Sequence, residues 1–396
     1  MSKEKVLIVC DYFWPSVGGL EVVAENLGVE LMRHDFDVDI ATSSLPNRAD
    51  SVHRGMKILS MKRSRIPFWD KLHSIPRVRK IIASGQYRAC IFMADPLNWV
   101  LWSMDDLIVR PETKIIAQPL INEDGYRKWK DDATFRTRLV KVLREADVVL
   151  ALTRSGAEVK FFREEEIPHL YLPNAVRKAE DKMNFRSSYG IPPTCPLLLH
   201  VANLFPVKNH LALIAAVKKI SGEWRLAIIG NPAGYEDYGS AVRREVATDH
   251  RTILVEGFGP EQVSAAMKEA DFLLLASLGE VSPVTLLEAM SHGKPWIATP
   301  ECGAVHDLAG GIVAPLEEFP GWLNVLLSNA AYRLELGELG YQHWKECFSW
   351  ETVGRAWVSL VRDGRFDERF ELPERIAKKL EAVRRDVRGI YDDRVS

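Results

Sequence analysis

The chain has 396 residues, 47% of them apolar and 27% charged, with a formal net charge of −2. That length exceeds one ordinary core and points to two soluble domains, while near-neutrality removes any global electrostatic case for nucleic acid as a partner. Five scattered cysteines (Cys10, Cys90, Cys195, Cys302 and Cys347), none in a CxxC spacing, exclude a zinc ribbon and a disulfide framework and fit a reducing compartment. In chain order, the apolar runs 6–10, 38–42, 89–93, 114–117 and 148–153 read as buried strands. After Leu172-Pro173-Asn174 and a polar stretch at 177–186, a second set follows at 197–202, 225–230, 252–255, 272–276 and 296–299. Strands that lack clean alternation and are spaced by helical-period segments form parallel sheets covered on both faces. The expected fold is therefore α/β, with two doubly wound domains in tandem whose ligands sit beyond the strands' C-terminal ends. Residues 331–344 and 352–361 read as helices, and the tail carries Leu372, Ile376, Leu380 and Val383 at helical spacing, a packing face. The first apolar run is too short for a signal peptide, and no run reaches the roughly 20 apolar residues of a membrane span, so the expectation is a cytoplasmic protein.

The chemistry concentrates after the run 272–276, in Gly279-Glu280-Val281-Ser282-Pro283-Val284-Thr285-Leu286-Leu287-Glu288. Ser282 suits a helix N-cap, Pro283 the first helical position and Gly293 the residue past the C-cap. Val284, Leu287 and Met290 then give an apolar stripe. A helix starting there turns the amides of Val284, Thr285 and Leu286 toward the ligand crevice, a seat for a diphosphate. A carboxylate accepts two hydroxyls, so Glu288 can grip a ribose and Glu280 a sugar. The plain alternative makes Glu280 a dipole partner and Glu288 a solvated residue. The βα-loop position decides for ligand contact.

Gly18-Gly19 follow the first strand and precede a helix marked by Leu20, Val23, Leu27 and Leu31, where two glycines admit close backbone approach to a ligand. The G-x-G-x-x-G fingerprint and a Walker A sequence are both absent. Lys208, after the first strand of the second set, places an ammonium where a departing diphosphate needs one. Asp37-Val38-Asp39 spells D-x-D, but at a strand's start, and reads as structural; no cluster at ligand spacing suggests a metal. Residues 55–90 are basic with interleaved aromatic and aliphatic side chains. An anionic membrane face and a solvated helix face are equally good readings of that stretch.

Glu280 and Glu288 with seven residues between them, followed by Ala289-Met290-Ser291-His292-Gly293-Lys294-Pro295, resemble the E-x7-E signature of the retaining glycosyltransferases called group 1 or family four. Residues 11–21 (DYFWPSVGGLE) resemble that family's Gly-Gly loop, and 172–176 (LPNAV) its interdomain turn. Residues 200–208 (HVANLFPVK) resemble its R-x4-K strand exit, and Glu256-Gly257-Phe258 the exit facing the base. The resemblance implies a GT-B architecture: two Rossmann-like domains facing a deep cleft, an acceptor domain at 1–172 and a nucleotide-sugar domain at 173–340. C-terminal helices at 341–396 include one near 350–361 that crosses back to the first domain. It implies transfer from a nucleoside-diphosphate sugar to a saccharide or lipid-linked acceptor with retention at the anomeric carbon, in polysaccharide or glycoconjugate biosynthesis, without a cofactor or obligatory metal. By the same resemblance Lys208 and Glu280 are catalytic. Gly18, Gly19, Asn203, Phe258, Ser282, Pro283, Val284, Thr285 and Glu288 hold the donor. Gln118, Asn122, Glu123 and Asp124 lie on the acceptor side. Two departures stand out: Asn203 replaces the family's usual arginine, and Gln118 a frequent histidine. They keep a non-catalytic sugar-nucleotide-binding subunit in play, beside a sugar-nucleotide 2-epimerase of the same fold. A nicotinamide dehydrogenase would need the missing glycine fingerprint.

Overall fold

The structure is a computed structural model and describes residues 3–61, 76–83, 86–94, 112–179 and 183–395. Compactness divides the chain into Met1–Ala175 with Trp350–Arg369, and Val176–Ser349 with Phe370–Ser396. The segment 341–396, grouped as one helical unit from sequence, is thus shared between the two. Of the basic stretch 55–90, residues 62–75 and 84–85 lie outside the described residues.

In the first unit the branched aliphatic runs become β1 (Glu4–Cys10), β2 (Phe36–Ser43), β5 (Tyr87–Ala94), β6 (Lys114–Pro119) and β7 (Val148–Ala151). They are joined by β3 (Val52–His53), β4 (Met56–Met61) and β8 (Leu170–Tyr171), three strands the apolar pattern did not single out. The sheet order is β3-β4-β2-β1-β5-β6-β7-β8, parallel except for β3 against β4. Val6 pairs with Val38 on one side and Ala89 on the other, so the strand order reverses beside β1. Helices α1 (Gly19–Arg33), α2 (Glu123–Lys130), α3 (Ala133–Glu145) and α4 (Ala157–Glu164) follow their strands. The later helix α12 (Trp350–Asp363) belongs to this unit, where Lys114 Nζ donates to the Val361 carbonyl and Arg362 Nη2 to the His34 carbonyl. The D-x-D pair is structural: Asp37 is exposed, and buried Asp39 accepts from the Tyr87 hydroxyl at 2.8 Å.

The second unit carries β9 (Leu197–Val201), β10 (Arg225–Ile229), β11 (Thr252–Val255), β12 (Phe272–Leu275), β13 (Trp296–Ala298) and β14 (Gly311–Val313), all parallel in the order β11-β10-β9-β12-β13-β14. Its helices are α5 (Phe185–Ser188), α6 (His210–Val217), α7 (Glu236–Val246), α8 (Pro260–Glu269), α9 (Val284–Ser291), α10 (Phe319–Leu327), α11 (Ala330–Cys347) and α13 (Glu374–Val395). Strand order reverses between β9 and β12, the switch point at which open α/β sheets leave a crevice. The tail stripe behaves as a packing face: Ile376, Leu380, Val383, Val387 and Tyr391 enter the core of this unit, and Tyr391 stacks on Trp322 at 4.4 Å between ring centroids. Among the described residues no helix is long and apolar enough to cross a membrane, and no group of three or more His, Cys, Asp or Glu is placed to hold a metal ion.

Candidate functional site

Two strand exits meet at the switch point of the second unit. After β9 the chain makes a 3-10 turn at Pro206–Lys208, then places Asn209 in the left-handed region (φ 59°), a conformation asparagine tolerates, before α6 begins. After β12, the Leu278 amide donates to the Val207 carbonyl at 2.8 Å, lacing the two exits together. Here Lys208 Nζ forms an ion pair with Glu280 Oε1, the lysine side chain 21% and the glutamate 15% exposed, and Ser277 Oγ donates to the same oxygen at 3.0 Å. The two residues assigned to catalysis are therefore each other's partners.

The third exit, after β13, fixes the backbone beneath them. The Glu280 amide donates to the Glu301 carbonyl at 3.1 Å, the Ala304 amide to the Val281 carbonyl at 3.0 Å, and Thr299 Oγ1 to the Ser277 carbonyl at 2.7 Å. Gly303 sits at φ +56°, and a Cβ there would overlap the carbonyl oxygens of Val281 and Glu280. Only glycine lets these loops approach so closely.

Helix α9 begins one residue later than the sequence suggested. Pro283, not Ser282, occupies the N-cap (φ −69°, ψ 113°), and its side chain makes no capping hydrogen bond. Extended backbone at a proline is a natural break before a helix, and it moves the first helical residue to Val284. The Leu286 amide donates to the Pro283 carbonyl at 3.2 Å, so the amides left for a ligand are those of Val284 and Thr285. The buried face is Leu286, Leu287, Ala289 and Met290, with Val284 only half-buried. At the other end Gly293 (φ +63°) completes a Schellman motif: the Lys294 amide reaches the Ala289 carbonyl at 2.9 Å and the Gly293 amide the Met290 carbonyl at 3.0 Å. Glu288, one turn past Val284, is half-buried; burial alone pushes its carboxyl up to about 7. Among the described residues no cation pairs with it, and a carboxylate kept short of water gains from receiving hydroxyl donors.

Other assigned positions divide. Asn203 follows β9, and its side-chain oxygen accepts from the Asn231 amide at 3.2 Å, so it braces the β10 exit; Asn231 Oδ1 in turn accepts from the Gly257 amide at 2.8 Å. Glu256 is held by a two-pronged pair with Arg243 (2.7 and 3.0 Å), and the Phe258 ring packs against Phe185 and Tyr189 rather than standing alone. In the first unit Gly18 is the extended N-cap of α1 and Gly19 its exposed first residue. Gln118 lies inside β6, paired with Met93 and 1% exposed. Asn122 is the N-cap of α2, its Oδ1 accepting from the Gly125 amide at 2.8 Å, and exposed Glu123 and Asp124 fill that helix's first turn. A capping role accounts for all three.

Sequence reasoning missed Ser277, Gly303 and a buried histidine pair below Lys208. His200 Nδ1 meets the Leu274 carbonyl at 2.8 Å, His210 Nε2 the Ala202 carbonyl at 3.3 Å, and the rings cross edge-to-face at 4.7 Å. Burial pushes the two imidazoles down to about 4 and about 3.

Residues 195–327 match the family described as glycosyl transferases group 1. The matched segment contains both strand exits, Lys208, Glu280 and Glu288. The chain is 33% identical to the lipopolysaccharide 1,6-galactosyltransferase of Salmonella typhimurium over 140 residues, which spans 33% of this chain and 36% of that protein. It is 23% identical to the N-acetyl-alpha-D-glucosaminyl L-malate synthase of Bacillus anthracis over 314 residues, 75% of this chain and 79% of the relative. Among solved structures, sucrose-phosphate synthase from Thermosynechococcus elongatus superposes with a TM-score of 0.75 at 17% identity, over 91% of this chain and 98% of that one. Anabaena HepE in complex with UDP-glucose does so with a TM-score of 0.74 at 14% identity, over 90% and 99%. The fold is that of the GT-B glycosyltransferases, α/β with two parallel-sheet domains.

Proposed function

We propose that the chain transfers a sugar from a nucleoside-diphosphate sugar to a saccharide or lipid-linked acceptor, with retention at the anomeric carbon. The observation that carries this reading is the Lys208–Glu280 pair at the β9/β12 switch point, beside the N-terminus of α9. In the reaction the bond from the anomeric carbon to the diphosphate oxygen breaks and one to the acceptor oxygen forms. The nucleoside diphosphate leaves with the bonding electron pair, and the acceptor hydroxyl's proton passes to an oxygen of that departing diphosphate or to water. Lys208 and the amides of Val284 and Thr285 offset the charge growing on that leaving group. Glu288 takes the ribose hydroxyls and Glu280 those of the transferred sugar. Named relatives that act on lipopolysaccharide and on malate support a hydroxyl acceptor of some kind. Contact of the basic stretch 55–90 with an anionic membrane belongs to the same proposal, and co-sedimentation with anionic but not neutral vesicles would support it.

The test is a thermal-shift panel of nucleoside diphosphates and their sugars, including UDP and UDP-glucose. A ligand at about a hundred times its Kd stabilises the folded chain by roughly 2.7 kcal/mol. No shift with any member would refute the donor site. One observation favours a second reading, a sugar-nucleotide binder without turnover: Asn203 braces backbone where a second cation would stand. Binding without either transfer or slow hydrolysis would select it.

A further inference from the structure

The loop joining β1 to α1 is held by a side chain that no motif indicated. Arg48 donates from Nε to the Trp14 carbonyl at 2.6 Å, from Nη2 to the Phe13 carbonyl at 2.8 Å, and from Nη1 to the Ser43 carbonyl at 2.7 Å and Ser60 Oγ at 3.2 Å. These acceptors come from three places, the β1–α1 loop, the end of β2 and β4, and all four are neutral. A guanidinium set among neutral acceptors carries a desolvation cost that no carboxylate offsets. What the planar fork supplies, and an ammonium or an apolar side chain cannot, is the simultaneous placement of several carbonyls.

The rest of the loop is anchored on its inner side. Phe13 is fully buried, Trp14 stacks on His53 (4.6 Å, 13°), His53 meets Glu25 at 2.9 Å, and Ser16 Oγ donates to Glu21 Oε1 at 3.1 Å. On the outer side Tyr12 and Val17 stand 38% and 46% exposed, just before the extended Gly18. A loop fixed at a strand's C-terminal end is where an open α/β sheet places its ligand contacts, and Tyr12 and Val17 lie on it.

We propose that Arg48 is a positioning residue for the transfer reaction: by fixing the Phe13 and Trp14 carbonyls it sets Tyr12, Val17 and the start of α1 in the geometry that meets the substrate. The proposal rests on the glycosyltransferase reading above. Its test compares the full chain with Arg48→Lys and Arg48→Met, using UDP for calorimetry and UDP-glucose for turnover in water, followed as release of glucose and UDP. Hydrogen exchange of the amides at 12–19 reports the loop directly. Arg48→Met should exchange these amides faster and lose on the order of tenfold to a hundredfold in kcat, the cost of misplacing a contact by about 1 Å. UDP affinity should fall much less than kcat, because the contacts proposed for UDP at Lys208, Val284, Thr285 and Glu288 lie on other loops and only Gly18 and Gly19 adjoin this one. Arg48→Lys, which keeps the charge but not the fork, should retain the fold and fall between the two. A loosened loop with unchanged kcat, or a loss of UDP affinity in step with kcat, would overturn the positioning role. Failure of the unaltered chain to bind UDP would instead overturn the donor-site reading and this proposal with it.

Discussion

If a nucleoside diphosphate binds as proposed, Glu280 competes with it for Lys208, and Glu280→Gln measures that competition. Opposite unit charges in contact at an effective dielectric of about 20 attract by roughly 4 kcal/mol. Both side chains keep some exposure, 21% and 15%. Desolvation and side-chain ordering therefore cancel most of the attraction, leaving about 1 kcal/mol net. A diphosphate must draw Lys208 from that pair and also tolerate the nearby carboxylate. Neutralising position 280 removes both penalties, so calorimetry should show UDP binding about fivefold to thirtyfold tighter, a gain of roughly 1–2 kcal/mol. A nucleotide sugar gains the same amount but loses a charge-assisted hydrogen bond to the sugar, about 1.5–3 kcal/mol. Its affinity should hold level or fall. The signature is thus a collapse of the preference for UDP-glucose over UDP. Weaker UDP binding in Glu280→Gln would refute the reasoning, since it would mean that the carboxylate holds Lys208 in place for the phosphate.

Glu288, pushed up to about 7, accepts ribose hydroxyls well only when ionised, so UDP affinity should rise from about pH 6 to about pH 8, by at most tenfold per unit, and Glu288→Gln should flatten the profile. In the unliganded protein the sign reverses: a raised carboxyl favours the fold at low pH, and that contribution is lost as pH climbs from 4.5 through about 7. His200 and His210 act oppositely, because their depressed values give stability that is full above 6.5 and lost as pH falls toward about 4 and about 3. Urea midpoints should drop over that range with a slope approaching about 1.4 kcal/mol per pH unit for each histidine, and His210→Gln should lessen it. Gly303→Ala forces a Cβ into the Glu280 and Val281 carbonyls at φ +56°; we expect about 1–3 kcal/mol of lost stability together with weakened UDP binding, and wild-type values in both assays would count against the packing described.

Much of the frame was legible because doubly wound domains write themselves in apolar runs. The runs at 252–255 and 272–276 became β11 and β12 within a residue. β14 and β8 were not legible: three and two residues long, they gain their pairing from neighbours already in place. The E-x7-E segment announced a helix at a strand exit, yet Ser282 looked like the cap because its type fits, while the extended backbone at Pro283 set the boundary. Gln118 read as a ligand contact from its place after a strand. The sheet runs one residue past it, and Gln118 is 1% exposed. Arg48 left no signal at all, since its partners are backbone carbonyls, which every residue carries.

The chain changes unit three times, after Ala175, after Ser349 and after Arg369. Neither unit is consequently a single stretch of gene. Cutting at 349 would strip the first unit of α12 and the second of α13, whose Ile376, Leu380 and Val387 lie in its core. Recombination that exchanged simple N- and C-terminal halves with a relative would mismatch two cores at once. A second unit traded between such proteins has to travel with α13, while α12 stays with the first unit.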